Sequence, residues 1–290
     1  MFTISNDHLS AMVSEMGAEL QSLRDEQTGH EYLWQGDARW WGGRSPILFP
    51  IVGGLWNGCY RLDGHETKLP KHGFVRRQPW HCTLHEADRV RLEYDGSEAD
   101  YALFPFRFNL AVTYTLEGRR LKAAFEVKNL DERDMHFQIG GHPALNLSGW
   151  NEEQEVDGYL LLEGKPESVR RAGEQGCLEP ESHPVPLTAD GLVPLSVATF
   201  AHEALIFDRQ QIQAATLLDR DRRRVARVES SAPVWLFWSP QGVHTPFVCC
   251  EPWYGLCDPI GYEGPVEERP FIQRARGGEK WHGYFKIDIL

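Results

Sequence analysis

The chain has no excess of positive charge, no apolar run long enough to span a bilayer, no CxxC cysteine pair and little helical periodicity. Its 290 residues carry 30 Lys and Arg against 42 Asp and Glu, a formal net charge of −12. Neutralising phosphates needs clustered cations, so no nucleic-acid partner is expected. The one dense basic run, Arg220 to Arg227, is broken by Asp221 and reads as a solvated hairpin. Arg, Glu, Asp or Gly interrupts every hydrophobic stretch short of the roughly 20 residues a membrane span needs, so no membrane partner is expected either. Residues 1–9 are polar and acidic where an export signal has a basic start and an apolar stretch. The six cysteines (Cys59, Cys82, Cys177, Cys249, Cys250 and Cys257) include no CxxC pair, and a chain of this length has no need of disulfide staples. Free thiols in a reducing cytoplasm are the expectation.

What the chain does have is period two. Arg89–Tyr94 alternates polar and apolar side chains, and Leu121–Val127 does so in part. Such alternation is the pattern of a half-buried strand. Similar runs occur at 106–115, 214–218, 225–228, 234–238, 247–250 and 281–289, separated by Gly, Pro, Asp and Asn clusters of the hairpin-turn kind. The 18 prolines and 27 glycines punctuate the chain too often for a helix-rich fold. The expected architecture is all-β: a large antiparallel β-sandwich with few short helices, forming a single domain over residues 1–290. No repeat or linker divides it. Irregular stretches at 34–69, 140–156 and 251–273 are long enough to be functional loops. Residues 163–194, rich in Pro and charge, read as a surface excursion.

Three segments set a titratable side chain among small or aromatic neighbours: Leu69-Pro-Lys-His72-Gly-Phe-Val-Arg76, Gln138-Ile-Gly-Gly-His142-Pro-Ala-Leu145 and Val248-Cys-Cys-Glu251-Pro-Trp-Tyr-Gly255. His before Gly, and His before Pro, place an imidazole where the chain turns, able to project into a cleft. Singly, each reads as readily as a hydrogen-bonded structural group. Glu251 follows an apolar run and precedes Pro252-Trp253, surroundings that raise a carboxyl pKa toward that of a useful base. Two imidazoles and one partly desolvated carboxylate suit proton transfer near neutral pH. Trp34, Trp40, Trp41, Trp56 and Trp253 fall in the irregular stretches. Their faces could stack on a sugar ring or simply fill the core.

Taken in order, several of these segments make the sequence resemble the aldose 1-epimerase (galactose mutarotase) family, in particular its LacX-like branch. They are Ile4-Ser5-Asn6 with Gly17-Ala18-Glu19-Leu20, Arg44-Ser-Pro-Ile-Leu-Phe-Pro-Ile-Val-Gly53, His72-Gly-Phe-Val-Arg76, Gly140-Gly-His-Pro143, His202-Glu-Ala-Leu-Ile206 and Glu251-Pro-Trp253. The resemblance implies a mutarotase-type supersandwich that interconverts the anomers of a free aldose, with no cofactor and no metal. It implies Glu251 as the base on O1, His142 as the acid on O5 and His72 as a second sugar-binding histidine. Arg44, Arg76, Glu203, Trp253 and Asn57 are the candidate sugar contacts. Many relatives have an Arg where this chain has Gly54, so a guanidinium is missing or comes from Arg44 or Arg76. Glu203 stands near the expected place of an acidic sugar ligand. The implied partner is a monosaccharide, and the implied assembly a monomer or homodimer.

Three other readings use the same residues. His72, His142 and Glu251 could hold a metal in a cupin-like barrel, although the His-x-His pair that often opens such sites is absent. A glycosidase would pair Glu251 with Asp258 or Glu263. A non-catalytic sugar-binding or sugar-sensing protein would need the cleft and not the chemistry, and Gly54 fits that alternative.

Overall fold

The computed structural model describes residues 1–290. A nine-stranded sheet runs in the order 193–194, 159–164, 212–218, 224–229, 280–289, 120–129, 108–117, 89–95 and 81–85. A second sheet runs 205–207, 234–238, 247–254, 139–141 and 47–48, with strand Ala144–Asn146 pairing a further part of Phe247–Tyr254. The ladders between neighbouring strands in both are antiparallel. All eight runs lie in strands, except that residues 106 and 107 precede the strand Phe108–Glu117. The basic run is a hairpin in which Arg222 pairs with Asp190, and Arg227 with Glu163 and Glu229.

The one α-helix, Glu98–Leu103, is started by a capping box: Ser97 Oγ accepts from Asp100 N, and the Asp100 carboxylate accepts from Ser97 N. No helix is long and apolar enough to cross a membrane.

The strands Arg120–Asn129 and Lys280–Ile289 bury every second side chain, including Leu121, Phe125, Phe285 and Ile287. The strands Val234–Trp238 and Phe247–Tyr254 are apolar apart from Glu251 because both faces are covered. Trp235, Phe237, Val248, Cys250 and Tyr254 turn toward the main core. Leu236 and Trp253, on the opposite face, join a smaller cluster with Leu48, Val52, Ile206 and Cys257. That opposite face floors the cavity described below.

Several expected loops contain strands. Residues 251–254 continue the strand Phe247–Tyr254, and 34–69 contains Ile47–Leu48, Cys59–Leu62 and His65–Lys68. The excursion at 163–194 also differs from expectation. Its backbone pairs Arg170 with Ile206 and Leu178 with Pro259, which folds it over the second sheet. Pro and Gly mark its turns but carry no record of the edge on which it docks.

Candidate active site

On the second sheet, Gly140 pairs with Trp253 and Ala144 with Cys249. The same register sets His142 opposite Glu251. Between those pairings the ladder lapses, since Pro143 and Pro252 have no N–H to donate; Cys250 N still donates to Pro143 O at 2.9 Å. His142 Nε2 lies 3.2 Å from Glu251 Oε2. Both side chains are buried, and His142 Nδ1 and Glu251 Oε2 have no hydrogen-bond partner.

Burial pushes the Glu251 carboxyl well above the ordinary carboxylate range, with the Lys71 charge pulling the other way. Burial, reinforced by Arg76 and Lys71, drives His142 down to about 3. Each group alone therefore favours its neutral form. At no net charge the two side chains hold one proton between them, as carboxylic acid and imidazole or as carboxylate and imidazolium. The Trp41 indole stacks on the His142 ring, 4.8 Å between centroids and 22° between planes, and a π face stabilises an imidazolium.

His72 occupies the left-handed region at φ 66°, followed by Gly73 at φ 70°. A Cβ on Gly73 would lie 2.0 Å from Phe49 O, so no side chain fits there. His72 N donates to Gly53 O, and His72 Nδ1 accepts from Gly53 N at 3.0 Å. An Nδ1 that accepts leaves the proton on Nε2, so His72 is neutral and keeps Nε2–H as a donor. Burial, then the charges of His142, Lys71 and Arg76, hold its pKa well below the usual value in agreement. The two imidazoles meet edge to face at 5.8 Å.

These groups line a cavity of about 300 Å³. Of the expected site residues, Glu251, His142, His72, Arg76, Glu203 and Trp253 face it. Arg44 and Asn57 do not. Arg44 Nη1 is engaged by Gln21 O at 2.8 Å and Gln35 Oε1 at 3.2 Å. Asn57 is exposed, with its N–H donating to Gln175 Oε1. Trp41, Lys71 and Trp238 also line the cavity, as do Ala172 and Gly176 from the supposed surface excursion. Nothing in the run Val234–Trp238 says which of its two tryptophans turns inward; the register decides it.

Comparison with known proteins places the chain in a family. The aldose 1-epimerase family model matches residues 1–261. The chain belongs to that family. It is 30% identical to the chromosomal LacX protein of Lactococcus lactis subsp. lactis over 299 residues, covering 99% of this chain and 98% of that protein. A galactose mutarotase-like protein from Lactobacillus casei superposes with a TM-score of 0.93 at 28% identity, over 100% of both chains. A galactose mutarotase related enzyme from Lactobacillus acidophilus gives 0.89 at 28% identity, over 100% of this chain and 97% of that one. The fold is accordingly the galactose mutarotase-like β-sandwich.

In this member of the family the place of the missing arginine is closed. A Cβ on Gly54 would lie 2.4 Å from Gln175 O, so the turn Gly173–Cys177 occupies the space. Of the two arginines that could replace it, only Arg76 reaches the cavity. The two rival carboxylates are elsewhere. Asp258 is buried against Arg269 at 2.6 Å and accepts from Trp56 N, while Glu263 is exposed. The rival metal set also changes: His72 Nδ1 is taken by Gly53, and the third ligand-type atom beside His142 and Glu251 is the Cys249 thiol.

Proposed function

We propose that the protein interconverts the α and β anomers of a free aldose. The observation that carries the reading is the buried contact between His142 Nε2 and Glu251 Oε2, 3.2 Å apart on the floor of the cavity. Its volume, about 300 Å³, suits one monosaccharide better than a polymer.

The sugar's anomeric centre sits against the pair, O1 facing Glu251 and O5 facing His142, with the shared proton on His142. The Glu251 carboxylate takes the proton of the O1 hydroxyl and His142 delivers its proton to O5 as the C1–O5 bond breaks. The product is the open-chain aldehyde. After rotation about C1–C2, O5 adds to the other face of C1, returning its proton to His142 while Glu251 re-protonates O1. Every proton is restored, so the cycle consumes nothing. His72 Nε2–H donates to a sugar oxygen, and Arg76, Glu203 and the Trp253 ring position the remainder.

A second reading, binding without catalysis, draws on Gly54 and the closed turn beside it. Polarimetry on freshly dissolved α-D-glucose, α-D-galactose and one anomer of glucose 6-phosphate separates the two. Faster exchange with protein establishes an epimerase and names its substrate. Exchange at the spontaneous rate with every sugar, from folded protein, overturns it in favour of binding.

A further inference from the structure

Cys249 is a free, fully buried thiol two residues before Glu251 on the same strand, so alternation puts both side chains on one face. It does not line the sugar cavity and has no part in the proton transfers above. Its sulfur, one His142 ring nitrogen and one Glu251 oxygen nevertheless lie within 4.8 Å of one another. His142 and Glu251 already stand 3.2 Å apart, and both retain a buried polar atom without a partner.

We propose that His142, Cys249 and Glu251 bind a thiophilic divalent cation, Zn²⁺ above all, and that the metal-bound protein cannot exchange anomers. Imidazole, thiolate and carboxylate are the zinc ligand types, and three of them leave a fourth position open toward the cavity. A tetrahedral ion about 2.0–2.3 Å from each ligand needs ligand atoms about 3.5 Å apart. The His142–Glu251 separation meets this already, and the sulfur closes by a shift of about 1 Å. Mg²⁺ and Ca²⁺, which favour oxygen, are poorly matched to a site with sulfur. Binding releases two protons to the buffer, the S–H proton and the one shared by His142 and Glu251. A dication with two anionic ligands then leaves the buried site uncharged. The inhibition rests on the acid–base reading of His142 and Glu251; the binding does not.

The test uses full-length protein stripped with EDTA. Calorimetry with ZnCl₂ in buffers of different ionisation heat should show one ion bound and two protons released. CoCl₂ should give a thiolate-to-cobalt absorption band. Cys249→Ser should lose the band and weaken zinc binding at least about tenfold. Its anomer exchange should stay at the wild-type rate and need at least about tenfold more zinc for equal inhibition. Cys249→Ala replaces it if serine impairs folding. Absence of zinc heat and of a cobalt band overturns the proposal, as do a band and affinity unchanged by loss of the thiol. Zinc binding that leaves wild-type exchange untouched overturns the inhibition. If wild-type protein accelerates no sugar, the epimerase reading fails while calorimetry still decides the cation site.

Discussion

His142 stands directly across the ladder from Glu251, in the three-residue gap between the Gly140–Trp253 and Ala144–Cys249 pairings, with Nε2 3.2 Å from Oε2. Two residues 109 positions apart thus meet as one buried pair. Their geometry is held by the sheet rather than by a loop.

The first prediction follows from that unity. In metal-free protein, Glu251→Gln and His142→Asn should each slow anomer exchange at least about a hundredfold, as expected for loss of a positioned acid or base. The double variant should be little slower than either single one, because each already disables the pair. Polarimetry measures the rates and circular dichroism confirms folding. Rates within about tenfold of wild type would remove the pair from the mechanism.

The pair also shapes stability against pH. His72 and His142 have lowered pKa values, so below the ordinary 6.5 the unfolded chain binds protons that the folded one does not. Stability therefore falls as pH drops through this range, for His142 down to about 3. Glu251, raised above 4.5, acts in the opposite sense: the unfolded chain loses its proton first, and stability falls as pH rises. Between pH 4.5 and 6.5 the carboxyl offsets one of the two histidines. Glu251→Gln should make stability rise with pH more steeply by about 1.4 kcal/mol per unit in that window. Urea titrations on metal-free protein at several pH values read the slope directly, and an unchanged slope would place the Glu251 pKa near its ordinary value.

Trp41 covers the His142 ring without forming a hydrogen bond to it, so its role is separable from the proton transfers. Trp41→Ala should lower kcat about twofold to tenfold, the range for an aromatic stack worth about 0.5–1.5 kcal/mol. Trp41→Phe should recover part of the loss. Separate kcat and KM values check this, since a tryptophan that served only as a platform for the sugar would move KM alone.

The closed turn beside Gly54 is testable through stability. A Cβ there meets Gln175 O at 2.4 Å, so Gly54→Ala should cost about 1–3 kcal/mol, the usual range for overpacking. A lowered melting temperature is the expected result. An unchanged one would mean that Gly173–Cys177 moves aside easily, leaving room for the arginine many relatives carry.

Period-two alternation in runs such as Arg89–Tyr94 was enough to predict strands, because a half-buried sheet demands it locally. The side chains of His72, His142 and Glu251 were also legible as candidates, since Gly, Pro and aromatic neighbours mark places where a polar group meets a turn or apolar surface. Arg44 and Asn57 were not separable from true lining residues: an arginine in a loop reads the same whether it meets a ligand or, as here, Gln21 and Gln35. Trp238 and Cys249 were hidden in the apolar runs 234–238 and 247–250, whose two faces look alike in one dimension.

Local chemistry is written in the chain itself: charge balance, the positions of turns, the all-β character and the residue types able to move a proton. Which of those residues meet was decided only by the fold. Register set His142 against Glu251, the left-handed turn at His72-Gly73 brought His72 to them, and the excursion at 163–194 came back to close one wall of the cavity. The reason is physical. Turn preference and strand pattern act over a few residues, whereas pairing between distant strands is selected by the packing of the whole core.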